Sequence, residues 1–395
     1  MHEQLLRKGL AGAALVAVAL ALAPLLLAGP ASANPPGSNA AATVALQWNA
    51  NAVAAVRAVK VVDPPGTAPR ALYQTEGLLD MSYVQAAVYD AATKIGHRYV
   101  PYHQFSAAAG DASIEAAVIA AAYNTLVYYL GDPSGTLAAE YQASIAALPA
   151  DKTIARGIAV GEAAAADIEA LRADDGRYGP WSPGLGAPTD PVQPGVWVWA
   201  PPPSLQIAQT PWMATMQPFM LESMSQFRAP PPPALDSPTY TANLNETKDY
   251  GSATSAVRTP DETAIAYFWN ANAINQLNQT LQNVATQRDM DLLDTTRLLA
   301  AGNMVSTDAG MACFDSKYTY RFWRPVTAIR NADLDGNPAT SADPSWTPLV
   351  PTPNHPEYPS QHGCVTSALA QVLANAAGTT NIDATVPGAT AAEPP

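Results

Sequence analysis

Apolar residues recur at helical spacing in stretch after stretch of this chain, and a period-two alternation persists nowhere. Met81, Val84, Val88, Ala91 and Ile95 form one such stripe, closed by Gly96. Val44 to Val59, Leu137 to Leu148 and Asp151 to Ala173 read as further helices, the first carrying Trp48, and Asp111 is placed to cap another that runs to Leu130. Thr259-Pro260-Asp261-Glu262 is a capping box with Pro at the first helical position. The helix it opens carries Ile265, Phe268 and Trp269, then an Asn- and Gln-rich run to Gln287. Those amides suit either a solvated face or hydrogen bonds between helices. Leu293, Ala300, Met304, Met311 and Phe314 continue the pattern behind Asp291, and Asp308 among them fits a buried structural hydrogen bond better than a catalytic role. The fold class is therefore all-α: a helical bundle.

Between Gly176 and Tyr240 the pattern breaks. Pro201-Pro-Pro203, Pro230-Pro-Pro-Pro233 and four tryptophans (Trp181, Trp197, Trp199, Trp212) fill the gap. A loop this long is unusual in a compact domain. The tryptophans argue for an ordered wrap that shapes the mouth of a pocket; a Pro-rich partner-recognition segment is the alternative. At the start, Arg7 and Lys8, an apolar run from Gly9 to Leu27, and Ala31-Ser32-Ala33 read as a secretory signal over residues 1–33, making the mature protein secreted or extracytoplasmic. An uncleaved anchor is the alternative. Residues 34–43 are expected to be disordered, residues 44–260 to form an N-terminal helical region with the wrap, and residues 261–395 to form the core region. No later run reaches the ~18 apolar residues a membrane span needs. The net charge of −13, one unit more negative without the leader, argues against nucleic acid or anionic membrane as partner.

In so acidic a chain one basic pair stands out. Lys317 follows Phe314 by three residues and so stays on the buried face, and Arg324 lies seven residues further on. Pro325 pushes Arg324 out of helical geometry, so the helix ends between them and two long cationic side chains can converge on one small anion. A lysine snorkelling at a helix end beside a surface arginine is the plain alternative. Further on, Pro359-Ser360-Gln361-His362 ends a Pro-rich loop, and Val365, Leu369, Val372, Leu373 and Ala376 begin a stripe that Gly378 stops. Ser360 sits where an N-cap belongs, and a helix N-terminus offers free N–H groups to an oxyanion. His362 adds an imidazole that titrates near neutrality. Cys313 and Cys364 flank these two pieces; they read either as close enough to bridge or as two small buried residues, the second slightly preferred.

Together the two pieces resemble the first two signatures of the vanadium-dependent haloperoxidase and type 2 phosphatidic acid phosphatase superfamily. Lys317, six residues, then Arg324-Pro325 is similar to the first; Pro359-Ser360-Gln361-His362 is similar to the second, with Gln in place of the family's Gly. Phe322-Trp323-Arg324-Pro325-Val326-Thr327-Ala328-Ile329-Arg330 and Phe268-Trp269 resemble the bacterial haloperoxidase branch. The resemblance implies a helical bundle with vanadate as cofactor and phosphate as competing oxyanion. It implies that Lys317, Arg324, Ser360 and the Gln361 amide hold oxyanion oxygens, that Lys317 polarises peroxide, and that His362 is the general acid/base. His355 stands where bromide-oxidising members carry His, and would modulate the halide. The partners implied are hydrogen peroxide and halide, or a small phosphoester if the chain is a phosphatase instead.

The family's third signature, Ser-Arg, five residues, His, three residues, Asp, has no match. After Arg330 the sequence holds no Lys or Arg, and after His362 no His. The expected metal-bound histidine and a third cation are therefore missing. The sequence predicts a truncated member with an impaired site, or a non-catalytic remnant that keeps the fold.

Overall fold

A computed structural model describes residues 38–62, 68–180, 192–201, 208–386 and 388–390. The leader-like residues 1–33 and Trp181 lie outside the described residues. The helices are α1 (Ser38–Ala58), α2 (Gln74–Gly96), α3 (Ile114–Leu130), α4 (Thr136–Ala146), α5 (Lys152–Arg172), α6 (Pro238–Gly251), α7 (Pro260–Asn270), α8 (Ala273–Gln287), α9 (Leu292–Tyr320), α10 (Pro325–Arg330) and α11 (Gln361–Ala377). A 3-10 turn spans Pro211–Thr215, and another spans Ala332–Leu334. Among the described residues the only paired strands are the two-residue β1 (Lys60–Val61) and β2 (Arg70–Ala71), antiparallel. The all-α expectation holds.

α9 is the axis of the bundle. Its 29 residues make a rod of about 43 Å, packed along α2 on one flank and α11 on another. Asp291 caps its start, and Arg321 in the left-handed region (φ 49°) ends it. The Asn-rich run resolves as the second of its two possibilities. Asn49 on α1 donates to Asn278 on α8 at 2.8 Å, and Asn303 on α9 donates to the same oxygen at 3.0 Å. Buried amides that satisfy one another fix the mutual register of three helices. α5 packs on α3 closely enough that a Cβ on Gly161 would stand 2.3 Å from the Ala117 carbonyl oxygen.

Two expectations are corrected. The cap of α3 is Ser113, whose hydroxyl accepts from the Ala116 amide at 3.2 Å; Asp111 instead pairs with Arg156. Two residues of Asx or Ser before a helix compete for the cap, and the nearer one wins here. The stretch expected to be disordered over 34–43 is helical from Ser38. No helix among the described residues is long and apolar enough to cross a membrane.

The described parts of the Pro-rich region are ordered against the end of α9. Trp197 and Trp212 are buried. The Trp197 amide donates to the Arg321 carbonyl at 2.7 Å, and the Trp323 amide donates back to Gly195 at 3.2 Å. Asp308, on α9, accepts from the amides of Phe219, Met220 and Leu221 at 2.7, 2.6 and 3.1 Å, the structural role expected of it. Beneath Arg324, Trp323, Val326 and Ile329 pack with Tyr240, Leu244 and Trp346 in a satellite core that anchors α10.

Candidate active site

Lys317 lies in the last turn of α9 and is 1% exposed. An ammonium that deep must have its three donors satisfied. They are: Nζ donates to the carbonyls of Pro356, Glu357 and Pro359 at 3.0, 2.7 and 2.6 Å. Lys317 therefore pins the loop that delivers Ser360. Burial brings its pKa down to about 8, with nearby Arg324 adding to the fall.

Arg324 is extended (φ −75°, ψ 152°), as Pro325 requires, and is the residue from which α10 starts. Its guanidinium reaches Glu357, Nη1 to Oε2 2.9 Å, and its buried Nε has no partner. Ser360 caps α11, its hydroxyl accepting from the Gly363 amide at 3.2 Å. The amides of Gln361 and His362 precede the first intrahelical bonds of α11 and remain available for an anion. The Gln361 side chain is drawn to α9, where Nε2 donates to the Gly310 carbonyl at 3.2 Å. A Cβ on Gly310 would sit 3.1 Å from that nitrogen, so glycine there makes the room.

His362 and Trp269 line the same cavity. Burial holds the His362 pKa below the ordinary imidazole value, opposed by the Trp269 backbone and helped by Lys317. It is thus neutral near pH 7 and able to take or give a proton. His355 is buried, its Nδ1 2.9 Å from the Pro356 carbonyl oxygen and its ring against Phe314. Burial, then Lys317 and Arg324, push its pKa well down, so it too is neutral.

Lys317, Arg324, His355, Ser360, Gln361 and His362 all line one cavity of about 640 Å³. The sequence-predicted set is therefore brought together, including pieces 45 residues apart. The same cavity is walled on its apolar side by Phe268, Trp269, Leu277, Leu369 and Leu373. Glu357 was missed. It is the only acidic residue between Asp343 and Asp383, a signal that was available in the sequence. Among the described residues lining the cavity, two cations face this one carboxylate, leaving one net positive charge.

These nitrogen and hydroxyl donors gather at a helix N-terminus in an all-α bundle, an arrangement whose chemistry suits an oxyanion. Comparison with known proteins narrows the class. The family model of the VCPO second helical-bundle domain matches residues 297–394. The chain is 28% identical over 177 residues to the vanadium chloroperoxidase of Curvularia inaequalis, a match that covers 35% of this chain and only 28% of that protein. In three dimensions it is similar to a bacterial vanadium-dependent iodoperoxidase, with TM-score 0.66 and 20% identity over 87% of this chain and 83% of that one. It is also similar to the apo form of a bacterial vanadium-dependent chloroperoxidase, with TM-score 0.56 and 19% identity over 78% of each chain. Residues 297–394 thus match the second helical-bundle domain of that family model, and the fold as a whole is that of the bacterial vanadium haloperoxidase structures.

Proposed function

We propose that this protein holds vanadate, with phosphate as competitor, between Arg324 and the first turn of α11, and oxidises halide with hydrogen peroxide. The observation that carries this is the unpartnered, buried Nε of Arg324 on the same cavity as the Ser360 hydroxyl and the opening amides of α11. A buried donor without an acceptor costs about 1–3 kcal/mol, which an oxyanion would recover. The donor set fits a tetrahedral oxyanion: Arg324, Ser360 Oγ and the amides of Gln361 and His362 would hold its oxygens. Lys317, its donors already committed to three carbonyls, acts through its charge and by holding the loop. When bound, vanadate supplies the centre at which peroxide is activated toward halide. His362, neutral near pH 7, would take a proton from peroxide at a ring nitrogen and return one to the departing oxygen. Buried neutral His355 sits where it can tune the halide's surroundings. The relatives' names span iodide and chloride, so the halide itself is left to experiment.

One net positive charge is little for holding such an ion, and we propose that the 395-residue chain turns over slowly. Halide oxidation should require added vanadate and proceed well below about 1 s⁻¹, under the ordinary enzyme range. Phosphomonoester hydrolysis should be absent. Vanadate-dependent halide oxidation at tens per second would sink the impaired-site reading. Phosphomonoester turnover with no halide oxidation would replace the peroxidase reading with the phosphatase one.

A further inference from the structure

Cys313 and Cys364 are not explained by oxyanion binding. Cys313 lies on α9 one turn before Lys317, and Cys364 lies on α11 one turn after Ser360. The Cys313 thiol is buried and points at the Ser360 and Pro359 carbonyl oxygens, 3.5 and 3.7 Å away. The Cys364 amide donates to the same Ser360 carbonyl at 3.1 Å, and its side chain is half-buried. Both cysteines therefore meet at the Ser360 carbonyl, each thiol perturbs the ionisation of the other, and neither is in a disulfide. Two unbridged cysteines from different helices that meet at one carbonyl are placed to form a bridge.

We propose that Cys313 and Cys364 form an oxidation site, at which a hydroperoxide converts the dithiol to a disulfide that staples the end of α9 to the start of α11. The more accessible sulfur, Cys364, attacks one peroxide oxygen; the O–O bond breaks, and the other oxygen leaves as water or alcohol after protonation. Cys364 is then a sulfenic acid. The Cys313 sulfur attacks it, the S–O bond breaks, and the hydroxyl departs as water with the Cys313 proton. Two thiols lose two electrons and two hydrogens, and one peroxide is reduced. The staple closes a loop of about 50 residues and fixes Lys317 against Ser360, so its chief effect is on rigidity and melting. Nothing in this step uses vanadate or halide, so it stands whatever the oxyanion site does.

The test uses the whole protein, fully reduced, desalted and treated with stoichiometric hydrogen peroxide. It is then denatured in N-ethylmaleimide and digested with trypsin. Cys313 falls in the peptide 298–317, and Cys364 in the one that starts at Asn331. The expected result is one linked species, lighter by two hydrogens than the two peptides and free of maleimide. Melting should rise by about 5 °C and fall back with dithiothreitol. Two separately alkylated peptides after peroxide, or Cys364 sulfinic acid without a link, would overturn the proposal. Cys364→Ser should lose both the link and the shift, and a peroxide-induced rise that survives in it would also overturn the staple. Should that variant fail to fold, the wild-type peptide masses decide alone.

Discussion

Lys317→Met is expected to lower the affinity for vanadate or phosphate by about 50-fold or more, while leaving the bundle folded. The estimate follows from the loss of one of two cations on the cavity, at about 1.5–3 kcal/mol for a charge-assisted interaction. It is compounded because the Pro356, Glu357 and Pro359 carbonyls lose the group that holds their loop. Stability responds less. Those carbonyls lose donors, but burying the ammonium had lowered its pKa from 10.5 to about 8, a cost of roughly 3 kcal/mol that methionine removes. The pH dependence carries a sign. Between pH 8 and 10.5 the unfolded chain binds the Lys317 proton and the folded chain does not, so this group's contribution to stability rises with pH across that window. Anion binding runs the other way: it needs the ammonium, and wild-type affinity should fall as pH climbs through about 8. The methionine variant should lack that break. Calorimetry on both proteins at pH 7 and pH 9 separates the two effects, and equal affinity at pH 7 would show that Lys317 contributes nothing to the anion.

Asp308→Ala should destabilise the fold by about 3 kcal/mol. Its carboxylate is 3% exposed and is the shared acceptor of three consecutive amides, Phe219 to Leu221. Removing it strands one buried and two part-buried donors, the buried one worth about 1–3 kcal/mol and the others less, partly offset by relief of a buried charge. Burial pushes the Asp308 carboxyl up to about 6 against the pull of those hydrogen bonds. A folded pKa above the unfolded value means that this group's ionisation weakens the fold as pH rises from about 4 to 6. The wrap should loosen first, because Phe219 and the neighbouring Met213 and Trp212 are buried under it. Limited proteolysis should then cut within residues 208–222 in the variant and spare the wild type. A melting point within a degree of wild type would contradict this account.

Much of the fold was legible because helices announce themselves locally. The Thr259 capping box, the Asp151 cap and the Gly378 stop are each written within a turn of the element they bound. The pairing of Lys317 with Ser360 was legible only through the resemblance, since no local rule joins residues 43 positions apart. The details that decide chemistry were not legible. Whether Lys317 grips an anion or three carbonyls depends on where the 356–359 loop lies. Likewise the Gln361 side chain finds its place only because α9 presents a glycine at 310. Glu357, which offsets half the site's positive charge, is a single loop residue whose partner lies on another element.

The claim on which all of this turns is that a tetrahedral oxyanion sits between the Arg324 guanidinium and the first turn of α11. A crystal of the whole chain soaked in vanadate tests it most directly. Tetrahedral density within hydrogen-bonding distance of Arg324 Nε, Ser360 Oγ and the Gln361 amide is the predicted result. A saturating soak that leaves that space to ordered water, with Arg324 still bound to Glu357, would contradict it.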